Sequence, residues 1–265
     1  MLKLDVNLSL AAKVKMSNIW LLSDDEGRRF LIDSGDSSER ILLRRCLANA
    51  GIKEPGDLTA VILTHRHRDH AGNAAWLRSR FECPLICHED DRPYLEGQEK
   101  APSMMHKQTP LVCVIPCKIQ DIVPPLSKVD ETYKDGDFKW GFEVFHTPGH
   151  TEGSSMLYHK PSQTLFSGDA ILAGLPFVRP LKKLQLAMPG FSPEFDKCHQ
   201  SVKRIIPKLP PIKRLCSGHG GMIEGDINSI LAELIAPKEK ASIWAKTLEW
   251  STPHLPQFVL KRLET

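Results

Sequence analysis

Three histidines and an aspartate, His65, His67, Asp69 and His70, fall within six residues, directly after the apolar run Leu58-Thr59-Ala60-Val61-Ile62-Leu63. The run is too short for a helix and reads as a buried strand, while Asn73 to Arg80 beyond the cluster reads as a helix. Neutral imidazole and carboxylate are the usual ligands of zinc and similar ions, and packing alone gives no reason to crowd four of them at a strand exit. A polar solvated loop is the competing reading of the same residues. The arrangement points to an α/β protein with a metal centre at one edge of its sheet, where ligand sites usually form.

Three more candidates share that setting. His150 lies in Thr147-Pro148-Gly149-His150-Thr151-Glu152-Gly153, after a strand ending near Phe145. Asp169 closes Phe166-Ser167-Gly168-Asp169, and His219 lies in Leu215-Cys216-Ser217-Gly218-His219-Gly220-Gly221. Glycine adjoins each of them, as a sharp backbone turn beside a bound ion requires.

The remaining organisation is that of an ordinary globular chain. The 265 residues fit one large domain, or one with an appendage, and 41% hydrophobic content allows a substantial core. A net charge of +3, with basic residues dispersed, argues against nucleic acid as a partner. No apolar run reaches the roughly 18 residues of a membrane span, and Asp5 and Asn7 interrupt any secretory signal at the start, so a cytoplasmic enzyme is expected. Seven cysteines without framework spacing read as reduced, mostly buried thiols, and Pro84 and Pro116 argue against helices around Cys83/Cys87 and Cys113/Cys117.

Further strands are expected over 17–22, 29–33, 84–87, 138–140, 142–145, 155–159, 164–166 and 212–216, and helices over 38–49, 193–206, 227–236 and 239–250. Two proline-rich stretches, 89–125 and 172–195, read as excursions from the core, the first as a candidate border of a pocket, and 251–265 reads as a tail or partner-binding arm. Arg179, Lys182 and Lys183 read either as a clamp for an anionic substrate or as a solvated loop, and Phe177 and Phe191 as packing or pocket lining. Asp33, in Leu31-Ile32-Asp33-Ser34-Gly35, reads either as an orienting carboxylate or as a helix N-cap. The other six histidines match no such position; His106, beside Met104 and Met105, is the one nearest an expected pocket.

Taken in order, Asp33, the 65–70 cluster, His150, Asp169 and His219 resemble the motifs of the metallo-β-lactamase superfamily over roughly residues 15 to 225. The resemblance implies a four-layer αβ/βα sandwich over 1–225, with residues 226–265 as a helical extension packed on it. It implies that His65, His67 and His150 hold one metal, that Asp69, His70 and His219 hold a second, and that Asp169 bridges. Asp69 and Asp33 are the catalytic candidates it implies. Two divalent cations, zinc with iron or manganese as alternatives, would then carry a shared hydroxide that attacks a carbonyl or phosphoryl centre. Two dications contribute about +4 and the two carboxylates with hydroxide remove about three charges, which favours an anionic small-molecule substrate.

Departures from the superfamily's branches narrow the reading. A carboxylate at Asp169 is usual for ester, thioester and phosphodiester hydrolases and not for true β-lactamases, so β-lactam hydrolysis is at most a side reaction. Leu172 stands where homoserine-lactone lactonases carry tyrosine. The Thr147–Gly153 pattern is similar to glyoxalase II, but the Gly-Cys-Gly-Arg-like segment after the bridging aspartate and clear glutathione-binding residues are missing. The expectation is a glyoxalase II-like hydrolase of a small ester, thioester or lactone. The alternatives are a phosphodiesterase or RNA endonuclease on the same metal pair, or a mononuclear-iron persulfide dioxygenase. A homodimer built on the C-terminal helices or tail is a candidate assembly.

Overall fold

A computed structural model of the protein describes residues 2–4, 8–10, 12–14, 16–174 and 180–236. The first half contains β1 (Leu2–Leu4), β2 (Leu8–Leu10), β3 (Ala12–Val14), β4 (Ile19–Ser23), β5 (Arg29–Ile32), α1 (Arg40–Asn49) and β6 (Ala60–Ile62). There follow α2 (Arg68–Ala71), α3 (Ala74–Phe81), β7 (Leu85–His88), α4 (Arg92–Leu95), α5 (Leu111–Ile122) and β8 (Glu131–Tyr133). The second half contains β9 (Gly136–Asp137), β10 (Phe142–His146), β11 (Ser155–His159), β12 (Thr164–Gly168), β13 (Ile171–Gly174) and β14 (Pro180–Leu186). It closes with α6 (Phe195–Ile205), β15 (Arg214–Ser217), β16 (Met222–Glu224) and α7 (Ile227–Ile235).

Two six-stranded sheets result, ordered β1-β4-β5-β6-β7-β8 and β16-β15-β12-β11-β10-β9. In the first, β5 to β8 run parallel; in the second, β12 and β15 are the parallel pair. The central strands of the first sheet are apolar on both faces because both are covered. Ile19, Leu21, Leu31, Val61 and Leu85 pack against Leu43 and Leu47 of α1 and Leu77 and Phe81 of α3. The alternate residues Trp20, Leu22, Phe30, Ile32, Ala60 and Ile62 meet Phe142, Val144, Leu157 and Phe166 of the second sheet. Phe30 sits edge-on to Phe142 at 5.5 Å between ring centroids. With α6 burying Phe195, Cys198, Val202 and Ile205, the order is helix, sheet, sheet, helix: the four-layer αβ/βα sandwich.

The chain through Leu234 is one compact unit, and Ile235–Thr265 is a second. The helix expected over 239–250 and the tail 251–265 lie outside the described residues, as do Phe177 and Arg179; Lys182 and Lys183 fall in β14, but their side chains are not among those described. Among the described residues no helix is long and apolar enough to cross a membrane.

Three local expectations are corrected. Residues 138–140 do not continue a strand: a 3₁₀ turn spans Lys139–Gly141, and Trp140 takes a left-handed φ of 61° that lays its ring 5.0 Å from Phe30. The 89–125 segment is more regular than its prolines suggest, since α5 runs through Pro116 and places Cys113 and Cys117 on one buried face with Met104 and Phe191. Part of the 172–195 segment is regular: β13 and β14 pair antiparallel within it.

The inter-sheet core sets the stability of this frame. Phe166 is fully buried in it, whereas Ile41 is 69% exposed. Phe166→Ala is expected to lower the unfolding free energy by about 3–5 kcal/mol and Ile41→Ala by no more than about 0.5 kcal/mol. Urea unfolding of both variants checks this, and equal costs would place the core elsewhere.

Candidate metal centre

Five strands deliver the candidate side chains to one end of the two sheets. Asp33 follows β5, His65 follows β6 by way of Leu63 and Thr64, and His150 follows β10. Asp169 and His219 leave β12 and β15, which run side by side in parallel with Gly168 opposite Ser217. His67 precedes α2, whose single turn carries Asp69 and His70. All eight side chains are buried or nearly so.

The donors converge as three sets. Those of His65, His67 and His150, those of His65, His70 and Asp169, and those of Asp69, His70 and His219 each lie within 4.8 Å of one another. Asp169 stands between the groups: Oδ1 is 3.3 Å from His70 Nε2, and Oδ2 is 3.5 Å from His150 Nε2 and 3.2 Å from His219 Nε2. Asp69 Oδ2 is 3.6 Å from His70 Nε2 and 3.4 Å from His219 Nε2. Close approach requires glycine at position 218, where a Cβ would strike Asp169 Oδ1 and come within 2.7 Å of the His70 ring.

The ring faces that point inward are unsatisfied and those that point outward are held. Nε2 of His65, His67, His70 and His150 and Oδ1 of Asp169 are buried without a hydrogen-bond partner among the described residues. Buried polar atoms seldom go unpaired, and these aim at one point, so the donor set fits a pair of cations. On the outer side, His65 Nδ1 pairs with Thr64 Oγ1 at 3.0 Å, His70 Nδ1 with Asp33 Oδ2 at 2.9 Å, and His150 Nδ1 with Ser192 Oγ at 2.9 Å. Such partners orient imidazole and raise its basicity toward a metal. Asp69 Oδ1 accepts from Gln120 Nε2 at 3.0 Å, which leaves Oδ2 for the centre.

Asp33 is placed as an orienting carboxylate. It accepts from the Thr64 amide at 2.8 Å and holds His70, while Asp36 caps the following helical turn through the Ser38 amide at 2.8 Å. His106 does not join the centre; its ring lies 5.9 Å from Phe195 and its Nδ1 accepts from the Gln108 amide.

Sequence reading missed Thr64, Ser192, Gln120 and Asp91. The first three are common polar residues whose role depends on folding. Asp91 ends a Glu-Asp-Asp run that nothing in the sequence marks out, yet it is fully buried. It accepts from the amides of Arg66 and Gly153 at 2.9 Å and from Thr151 Oγ1 at 3.0 Å, tying the 65–70 loop to the loop bearing His150. Burial pushes its carboxyl up to about 6 against the pull of Arg66.

Without a cation the cluster shares protons unevenly. Burial, then neighbouring histidines, holds His65 well below its ordinary value, and burial carries His150 down to about 4. Burial would also lower His70 and His219, but Asp169 and Asp69 outweigh it, with Asp33 adding to the effect on His70: His70 stands well above the ordinary value and His219 at about 9.

Both expected excursions reach the centre. A cavity of about 150 Å³ opens over it between Met16, Pro116, Ile119 and Phe191, with His67, Asp69, Asp169 and His219 on its floor. A second cavity of about 310 Å³ adjoins it at His67, Arg68 and Gln120.

Known proteins agree with this geometry. A family model for the metallo-beta-lactamase superfamily matches residues 12–219. A probable metallo-hydrolase of Bacillus subtilis (strain 168), YybB, is 28% identical over 201 residues, 76% of this chain and 79% of that protein. A hydroxyacylglutathione hydrolase of Bdellovibrio bacteriovorus is 29% identical over 198 residues, 73% of this chain and 59% of that protein. Among solved structures, TTHA1623 in a di-iron-bound form aligns with a TM-score of 0.58 at 27% identity, covering 88% of this chain and 98% of that one.

Two outcomes are expected. With His219 near 9 and His70 also raised, metal-free protein at neutral pH carries both protons. Loading should therefore release about two protons per chain, and affinity should rise with pH until about 9; calorimetry in buffers of different ionisation heat measures this, and proton-neutral loading would contradict the assignment. Asp33→Asn should weaken metal binding by about 10–100-fold in competition with a chromophoric chelator, whereas a pure helix cap would leave affinity unchanged.

Proposed function

The chain belongs to the metallo-beta-lactamase superfamily, and from that footing we propose that it is a metal-dependent hydrolase of a small ester, thioester or lactone. The observation that carries this reading is the convergence of two complete three-residue donor sets, with Asp169 between them, in a buried pocket that opens to one cavity. A pair of divalent cations bound there supplies an activated water and an electrophile for the substrate oxygen. The full Asp69, His70 and His219 set supports two ions and so favours hydrolysis over the single-iron dioxygenase chemistry. Zinc is the proposed pair, with iron the alternative that a di-iron relative supports.

The chain's own residues do the rest. Asp33 fixes His70, Thr64 fixes His65 and Ser192 fixes His150, so the donor geometry precedes the substrate and costs no reorganisation during reaction. Asp69, held by Gln120 on the cavity floor, is the proposed acceptor for the proton of the attacking water and its donor to the leaving group. Met16, Pro116, Ile119 and Phe191 line the mouth and would seat an apolar acyl group while excluding bulk water.

Charge at the mouth favours an acyl substrate over nucleic acid. Arg66 is engaged by Glu152 at 2.6 Å and Arg68 by Asp36 at 3.1 Å. Lys100 is the remaining basic side chain lining the two cavities. Phosphodiester binding draws on several unpaired cations that release counterions, and among the described residues this mouth offers few.

Purified protein reconstituted with zinc or ferrous iron is expected to hold two ions per chain and to release thiol from a simple acyl thioester. Asp169→Ala should lose metal content and turnover together. Full turnover at unchanged occupancy would remove Asp169 from the bridging role, and activity confined to a phosphodiester would replace the acyl reading.

A further inference from the structure

We infer that His88, Asp90 and His146 form a further cation site, separate from the seven-residue centre, that takes a borderline transition-metal dication and pins the two sheets together. The three residues share no member with the principal donor sets, and their donor atoms lie within 4.8 Å of one another.

His88 is the last residue of β7 in the first sheet, and His146 the last of β10 in the second. Asp90 lies in the single turn after β7 and reaches both rings. Its Oδ2 is 3.6 Å from His88 Nδ1 and 3.7 Å from His146 Nε2. Donors about 2.0–2.1 Å from one tetrahedral ion stand roughly 3.3–3.5 Å apart. Carboxylate–imidazole pairs in the principal centre stand 3.2–3.6 Å apart, so the carboxylate spacings of the two clusters are alike.

The imidazoles lie stacked, 4.0 Å between centroids and 16° between planes, which sets their donor edges side by side. Histidine χ2 is a broad torsion, so the rings can turn their edges toward one ion in exchange for their present hydrogen bonds. His88 Nδ1 accepts from the Asp90 amide at 3.2 Å, so it is the unprotonated nitrogen of that ring, and an entering ion would take the place of that hydrogen bond. His146 Nε2 lies 2.8 Å from the Glu152 carbonyl oxygen. A cation in place of the proton on that nitrogen would find this carbonyl within reach as a fourth donor.

The surroundings favour positive charge. Burial, followed by the proximity of His146, brings His88 down to about 4, so no proton has to leave that ring at neutral pH. Asp90 is half-exposed and open to an entering ion; Asp135 accepts from the His146 amide at 2.7 Å; Glu89 is paired with Lys134 at 2.9 Å. Two imidazoles and one carboxylate select zinc, nickel, copper or cobalt over magnesium or calcium.

The position gives the site a consequence. His146 opens the segment that carries His150, and Glu152 of that segment is bound to Arg66, between His65 and His67. An ion at His146 would therefore brace the same loop that Asp91 already ties to the principal centre.

The test is equilibrium dialysis of the full chain, with its principal centre loaded, against micromolar free Zn²⁺, followed by elemental analysis and thermal unfolding. Wild type is expected to take up about one zinc more than His146→Gln or Asp90→Asn, and added Zn²⁺ should raise its Tm by several degrees, a shift absent from both variants. Wild type that gains no zinc beyond the principal pair overturns the inference whatever the variants do, and so does a third zinc that both variants retain. Because the count is made above the principal pair, failure here leaves the hydrolase reading standing. Loss of the principal pair alone would leave this inference standing in turn.

Discussion

Several polar atoms are buried at one end of the sandwich with no hydrogen-bond partner among the described residues, and the local structure follows from that. An unpaired buried donor or acceptor costs about 1–3 kcal/mol, and four imidazole nitrogens with one carboxylate oxygen are in that position here. The rings cannot relieve the cost by turning outward, because Thr64, Asp33 and Ser192 hold three of them by their opposite nitrogens. The penalty is therefore built into the fold, and cations held among these donors would offset it. Metal binding and completion of the native state are on this view one event.

Two carboxylates outside the donor set make that arrangement rigid. Asp33 adopts φ 64°, a left-handed conformation rarely taken by residues other than glycine. The turn directs its side chain between Thr64 and His70, so the strain is stored where it orients a ligand. Asp91 plays the corresponding part on the other flank. It bonds the amide next to His65 and two groups beside His150, joining loops that leave different sheets. Asp33 spends its hydrogen-bonding capacity on backbone and ligand together, and Asp91 spends its own on the two loops that carry ligands, which is why the spacing of the donors survives on short loops.

The chemistry was legible in the sequence because its residues are rare and clustered; their supports were not. His65, His67, Asp69 and His70 announce themselves by density, and His150, Asp169 and His219 by adjacent glycines at strand exits. Strands such as β5 and β6 were legible because burial on both faces leaves uninterrupted apolar runs. Thr64, Ser192 and Gln120 carry no such mark, since any surface loop contains residues like them. Asp91 was hidden by two acidic neighbours that are not buried. The helix through Pro116 was missed for an energetic reason. Proline costs an interior helix about 3 kcal/mol, but Cys113 and Cys117 are buried against Met104 and Phe191, with the Cys117 thiol donating to the Gly190 carbonyl. Tertiary packing outweighs the local penalty, and a linear reading has no access to it.

That same helix explains why reaction class and substrate choice are written in different parts of the chain. The donors come from strand ends, which two packed cores hold in place. The mouth comes from α5 and the turn after β14, through Pro116, Ile119 and Phe191. A change of one methylene in such a wall alters binding by about 1–3 kcal/mol without moving a ligand. A one-residue slip in a strand would instead turn every side chain on it to the opposite face. Sequence can therefore drift at the mouth while the centre stays fixed. Gln120 is the exception that joins the two regions, because it leaves α5 to hold both Asp69 and the Arg68 amide. A molecule pressing on this helix would thereby be felt at the second donor set.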